Sequence, residues 1–218
     1  MPQILDLNLK IHSFTHYEYN KMWEALPIEY DYLETIFGRL NTAQNSFGIC
    51  HLSFHQPLNN FIERLKHDWP RSVVEKKTMT NDLKHQILLS IGLKTPSGES
   101  NFHSIKRIPI ILKGTTFQIQ VWRELTKIPL GRVCSYSQIA QQINKPKATR
   151  AIGNAIGKNP IAILVPCHRV IRKDGLIGEY RWGVNKKIDL LRWESPRKNY
   201  KLNCKPKSIE KFKPEAQN

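Results

Sequence analysis

Residues 135–158 read SYSQIAQQINKPKATRAIGNAIGK, and their reading decides the architecture of the second half of the chain. Ser135 is placed to cap a helix whose apolar face is Ile139, Ala140 and Ile143. Asn144-Lys145-Pro146-Lys147 supplies a turn, and another helix follows from about Ala148 to Lys158. Two short helices joined in this way predict a helix-turn-helix. Any αα-hairpin shares that pattern, so the composition of the second helix matters more. Ala148, Ala151, Gly153, Ala155 and Gly157 are all small, and an interior glycine costs about 1 kcal/mol against alanine. Either a neighbouring helix packs close against this face, or the face itself approaches a narrow groove. A slim helix can enter the minor groove of DNA where a bulky one cannot. Arg150 is the one long cation early in that helix, placed to reach into a duplex.

Working outward, Thr116 is the expected cap of a helix carrying Phe117, Val121, Leu125 and Ile128, ended by Pro129 and Gly131. Ile161 to Val165 is an apolar run that reads as a strand. Residues 31–112 read as a small α/β unit. Tyr32 to Leu40 and Phe47 to Phe54 are two strands around the turn Ala43-Gln44-Asn45-Ser46. Leu58, Phe61, Ile62 and Leu65 then form a helix stopped by Pro70. Leu83, Ile87, Leu88 and Ile91 form a second helix with Asn81 as its cap, residues 95–104 are a loop, and Ile108, Ile110 and Leu112 alternate as a strand. Residues 1–30 show no clear period and stay an unassigned extension, while 113–195 form the second unit. Residues 196–218 are rich in lysine and proline, the composition of a disordered tail or of a phosphate-contacting arm.

The 218 residues suffice for one large domain or two small ones. Thirty-four Lys and Arg against 18 Asp and Glu leave a net charge of +16. That excess points to a polyanionic partner, with nucleic acid first and an anionic membrane surface second. No apolar run approaches the roughly 18 residues of a membrane span, and the first residues lack the charged start and apolar core of a secretory signal. Cys50, Cys134, Cys167 and Cys204 are scattered without paired spacing, which argues against a disulfide framework and suits a reducing compartment. The eight histidines form no HExxH and no Cys/His ligand set, so no metal is expected.

The chemistry concentrates in Pro166-Cys167-His168-Arg169-Val170. A solitary cysteine is most often a small buried hydrophobe, but this one ends an apolar run, has a histidine beside it and precedes the polar turn Arg172-Lys173-Asp174-Gly175. Reactive thiols occupy such electropositive, partly open settings. Around it stand GTTFQIQVWREL (114–125), IPLGRVCSYSQIA (128–140), KATRAIGNAIGKNP (147–160) and YRWGVNKKIDLLRWE (180–194). In these motifs the chain resembles the methylated-DNA–protein-cysteine methyltransferases. The likeness is strong over 114–194 and looser back to Tyr32, through GICHLSF and PLNNFIERL. YRWG is nearer the bacterial adaptive-response type than the animal one, and that type's four-cysteine zinc domain does not occur in this sequence.

The resemblance implies an α/β N-terminal domain of ribonuclease H-like type, then a mainly α-helical C-terminal domain with a winged-helix-like helix-turn-helix. It implies suicide repair: an alkyl group, chiefly methyl, passes irreversibly from O6-alkylguanine or O4-alkylthymine in double-stranded DNA to Cys167, after the nucleotide is flipped out through the minor groove. Carried over residue by residue, His168 takes the thiol proton through a water, Glu194 orients His168, Asn159 holds the turn before the cysteine, and Tyr136 protonates the leaving base. Arg150 fills the gap in the duplex, with Tyr136, Ala148, Ala151, Gly153 and Arg169 also on DNA. Val165, Pro166, Ala162, Tyr180, Arg181 and Trp182 line the substrate pocket. The protein is expected to need no cofactor, to act as a monomer, and to reside in the cytoplasm, or the nucleus of a eukaryote.

Two features depart from the family: Glu179, and the lysine-rich stretch after Glu194, which runs past the family's usual end. Glu179 replaces a small or neutral residue at the pocket mouth, where it either weakens DNA binding or pairs with Arg181. Ala162 stands where animal members carry a proline that supports bulky alkyl groups, which together with Trp182 predicts poor reaction with O6-benzylguanine. Two other classes compete. A non-enzymatic DNA binder of the same fold would lack the cysteine, and Cys167 argues against it. A cysteine hydrolase would need an oxyanion hole and a histidine distant in sequence, which adjacent Cys-His does not supply.

Overall fold

The computed structural model describes residues 8–22, 26–90 and 107–195. Six strands form its main sheet: β1 (Leu9–Thr15), β2 (Ile28–Leu33), β3 (Leu40–Asn45), β4 (Gly48–Phe54), β5 (Val74–Lys76) and β6 (Ile108–Gly114), in the order β1-β6-β4-β3-β2-β5. β6 alternates its side chains between two cores, Ile108, Ile110 and Leu112 to one face and Ile111 to the other. On the Ile111 face, α1 (His16–Met22) and α2 (Leu58–Asp68) bring Tyr19, Phe61 and Leu65. The other face receives α3 (Asn81–Ser90) and the helices of the C-terminal half.

Several expectations need correction. The supposed extension 1–30 contributes β1, α1 and the start of β2; β1 pairs in parallel with β6 along its whole length, from Leu9↔Ile108 to Thr15↔Gly114. Three strands replace the two read between residues 32 and 54. β3 and β4 form the hairpin, and its turn lies at Ser46-Phe47, because Ala43, Gln44 and Asn45 stay in the ladder. Gly48 makes that hairpin possible: its φ is +137°, and a Cβ there would lie 2.3 Å from the Pro109 carbonyl oxygen. Asn81 begins α3, and Thr80 accepts from the Leu83 amide. The loop expected at 95–104 and the basic segment 196–218 lie outside the described residues.

The C-terminal half contains α4 (Thr116–Leu125), α5 (Tyr136–Gln142), α6 (Thr149–Gly157) and α7 (Val184–Glu194), with a two-residue parallel pair, β7 (Cys134–Ser135) and β8 (Val170–Ile171). Both α4 and α5 start with a full capping box. Thr115, one residue before the expected cap, exchanges bonds with Gln118, and Ser135 does so with Gln138. Asn144, left-handed at φ 56°, turns the chain between α5 and α6; its short polar side chain tolerates that conformation. No gap in packing marks residue 113. Leu52, Ile110 and Leu112 of the sheet share one apolar cluster with Val121, Ile152, Ile161 and Leu164. Among the described residues no helix is long and apolar enough to cross a membrane.

Ile161–Val165 is a tight turn rather than a strand. Only Ile161 bridges to Leu52, with the Ala162 amide donating to the Leu52 carbonyl at 2.6 Å. Ile163 sits at φ 66°, a conformation costing a β-branched residue about 1–3 kcal/mol. The bonds that hold it there belong to the site.

Candidate active site around Cys167

Asn159 follows α6 and is completely buried. Its amide nitrogen lies 3.1 Å from the Ile161 carbonyl, 2.9 Å from the Val165 carbonyl and 3.1 Å from Cys167 Sγ, while its oxygen accepts from the Ile161 amide. One side chain thus closes the turn and fixes the sulfur at its end. Cys167 opens a short 3-10 turn, Cys167–Arg169, in which all three side chains are buried.

His168 Nε2 is 2.8 Å from Glu194 Oε1. Burial alone would raise the Glu194 carboxyl, but His168 and Arg169 beside it hold it at about 2. An ionised carboxylate only accepts, so Nε2 carries the proton and Nδ1 the lone pair. Burial lowers the His168 pKa, against the pull of Glu194, which keeps the ring neutral. Nδ1 is buried without a partner among the described residues. The result is an oriented, neutral base beside the cysteine.

Burial pushes the Cys167 thiol up; the Asn159 amide, Lys187 and the Tyr180 hydroxyl pull it part of the way back. Lys187 is buried on α7 and donates to the Val170 and Ile177 carbonyls, both at 2.6 Å. Burial lowers its pKa to about 8, against Cys167 and Glu179, which favour the cation. Sequence reasoning missed this residue. A signal existed: Lys187 and Glu194 lie seven residues apart, flanking Leu190 and Leu191 on the apolar face of α7.

A cavity of about 230 Å³ reaches Cys167, lined by Tyr136, Gly153, Ile156, Gly157, Glu179, Tyr180 and Arg181. Burial, then the charges of Cys167 and Glu179, raise the Tyr136 phenol, so it stays protonated at neutral pH. A Cβ on Gly157 would meet nothing within 4 Å, and one on Gly153 only Tyr136 at 3.9 Å. Packing within this chain therefore requires neither glycine. Arg150 and Ala151 are exposed on the same helix, and Ala148 and Gly153 partly so.

Other expected site residues stand elsewhere. Arg169 is 2% exposed and cannot lie on DNA; its Nε and Nη2 bind Glu194 and its Nη1 the Ile128 carbonyl. Ala162 and Val165 are fully buried, and Pro166 is buried beside them, so none of the three lines the cavity. Trp182 packs edge-on against Phe54 and Tyr180 instead. Neither Ala162 nor Trp182 is a wall of the cavity, and Trp182 reaches it only through Tyr180, on which it packs. Glu179 does not pair with Arg181, whose guanidinium donates to the Asn159 carbonyl at 2.9 Å. Among the described residues no cluster of three metal-ligating side chains occurs.

Comparison with known proteins gives this geometry a context. Residues 116–196 match a family described as the DNA-binding domain of 6-O-methylguanine DNA methyltransferase. The chain is 35% identical over 174 residues to the Escherichia coli K12 bifunctional transcriptional activator/DNA repair enzyme Ada, covering 79% of this chain and 47% of that protein. It spans about half the length of that relative and of the Salmonella typhimurium regulatory protein ada. It is 36% identical over 165 residues to the Methanosarcina barkeri methylated-DNA–protein-cysteine methyltransferase, covering 76% of this chain and 96% of that protein. Among solved structures, the Mycobacterium tuberculosis OGT in complex with DNA superposes with a TM-score of 0.60 at 31% identity, covering 78% of this chain and 94% of that one. On sequence and on its mixed α/β sheet with helices, this chain belongs to the methylated-DNA–protein-cysteine methyltransferase family.

Proposed function

We propose that the protein repairs double-stranded DNA by taking the alkyl group of O6-alkylguanine, and of O4-alkylthymine, onto Cys167 in a single turnover. The observation that carries this reading is the sulfur at the inner end of a cavity, held by Asn159 beside the oriented His168–Glu194 pair. With its pKa raised, the thiol is less ionised at neutral pH than the few per cent of a free cysteine. Deprotonation by His168 Nδ1 therefore accompanies attack. The S–C bond forms as the C–O6 bond breaks, the thiol proton passes to His168 directly or through a water, and Tyr136 gives a proton to the departing base. The thioether has no exchange route back, so the protein is spent. Incubation with an O6-methylguanine duplex should add one methyl per molecule to the intact mass, and none to Cys167→Ala. Repeated turnover, or methyl on another cysteine, overturns the reading.

The α5–turn–α6 unit, with β7 and β8 beside it, is read as a winged-helix-like DNA-binding element, and the sheet with α1 to α3 as the ribonuclease H-like domain. The cavity beside Gly153 and Gly157 supports entry of a flipped nucleotide from the minor groove. Exposed Arg150 then replaces it in the stack. Arg150→Ala should slow repair of duplex DNA far more than reaction with free O6-methylguanine; equal losses on both would assign it to the fold. Tyr136→Phe should slow both substrates, and unchanged rates would remove the phenol from the mechanism.

A further inference from the structure

A larger cleft, of about 510 Å³, borders the Asn159 turn through Lys158 and Pro160 and shares no residue with the Cys167 cavity. It opens where the parallel strands β1 and β6 end. His16 follows β1, Lys113 stands next to last in β6, and Gln118 belongs to the first turn of α4. Crevices beyond the carboxyl ends of parallel strands are where open α/β sheets bind ligands. Three long cations, Arg64, Lys113 and Lys158, meet one carboxylate here, Asp68. That carboxylate is already engaged: Arg64 Nε donates to it at 2.7 Å, and His67 Nδ1 lies 3.0 Å from its other oxygen.

Lys113 is half-buried without a carboxylate partner among the described residues. Its ammonium is clamped over the rings of Tyr19, at 4.2 Å, and Trp69, at 4.5 Å, and donates to the Asp68 main-chain carbonyl. One carbonyl uses one of its three hydrogens. The Lys158 side chain has no partner among the described residues, and the terminal nitrogens of Arg64 are free of the Asp68 bond. A fixed ammonium, a second ammonium and a half-committed guanidinium around one cleft form the donor set of a tetrahedral oxyanion.

We propose that this cleft seats one phosphate group, carried by the backbone of DNA bound along α6 or by free phosphate. Lys158 ends the helix whose other end carries Arg150, so one duplex can meet both. The DNA source rests on the functional reading above; the oxyanion site does not.

The test compares wild type, Lys158→Gln, Arg64→Gln, the double variant and Lys158→Arg, with thermal unfolding as the check on folding. The salt dependence of binding to an O6-methylguanine duplex is measured, and inorganic phosphate is titrated by amide chemical shifts. For a backbone phosphate, each single variant lowers the slope of log K against log salt by about 0.9. The double variant lowers it no further, because both cations serve one phosphate, and Lys158→Arg restores it. For free phosphate the slope is unchanged, while wild type shows saturable shifts at Lys113, Gln118 and Lys158 that Lys158→Gln loses. Additive slope losses of about 1.8, meaning independent surface charges, would overturn the proposal. So would an unchanged slope without saturable phosphate binding. If Arg64→Gln unfolds, the phosphate titration decides: saturable shifts in wild type that Lys158→Gln, on an exposed side chain, loses support the cleft, and their absence overturns it. Methyl transfer to wild-type Cys167 is followed in parallel: its absence refutes the functional reading, and its presence beside a negative result refutes the cleft alone.

Discussion

Asn159→Ala is expected to lower folding stability by about 1–3 kcal/mol, the cost of one buried amide left unpaired, and to reduce alkyl transfer to background. The Asn159 amide has two hydrogens for three neighbours, the Ile161 and Val165 carbonyls and Cys167 Sγ, so the sulfur shares a donor with the backbone. Removing the side chain strands the buried Ile161 amide, while the Ile161 and Val165 carbonyls each lose one of two donors and keep the main-chain amides of Val165 and Cys167. It also frees Ile163 from its left-handed conformation, so the turn can relax and carry Cys167 away from the cavity. Asn159→Asp separates the two roles. It keeps the acceptor for Ile161 while placing a negative charge against the sulfur, which raises the thiol pKa further. Urea unfolding and single-turnover methyl transfer measure both effects. An alanine variant within 1 kcal/mol of wild type would show that the turn holds itself.

Glu194→Gln is expected to cost about 3–5 kcal/mol, because it leaves the buried guanidinium of Arg169 unpaired. The same change removes the anion that holds His168 in its reactive tautomer, so alkyl transfer falls as well. The pH dependence has a definite sign. Glu194 titrates at about 2 in the folded protein against 4.5 when unperturbed. Its contribution is therefore full above pH 4.5 and disappears as pH falls toward 2, because the unfolded chain binds the proton first. The shift corresponds to roughly 3 kcal/mol. Wild-type stability should fall more steeply than that of Glu194→Gln across this window, with other carboxylates cancelling in the difference. Parallel curves would mean that the ion pair does not stabilise the fold.

Much of the site was legible because its determinants are local. Ser135 and Gln138 stand three residues apart, and a capping box needs only that spacing. The small residues of α6, the turn at Asn144 and the adjacency of Cys167 and His168 are likewise properties of short stretches. Even Glu194 was placed by motif. The errors arose where a side chain's role depends on a distant partner. An apolar β-branched run such as Ile161–Val165 reads as a strand by periodicity. It folds as a turn because Asn159 takes its carbonyls and Leu52, more than a hundred residues earlier, takes one of its amides. Arg169 reads as a surface cation for DNA, and it is buried because Glu194 and the Ile128 carbonyl use its donors.

By itself, then, the sequence singled out Cys167, the adjacent His168 and the helical unit beside them, since each is set by capping, turn chemistry or contiguous motif. Tertiary structure decided the rest. The parallel pairing of β1 with β6 joins segments about a hundred residues apart, and no local pattern in Leu9–Thr15 announces its partner. The ionisation of the site was also invisible in sequence. Lys187, His168 and Glu194 acquire their perturbed affinities for protons only when packing removes water from around them, leaving one another as the nearest charges.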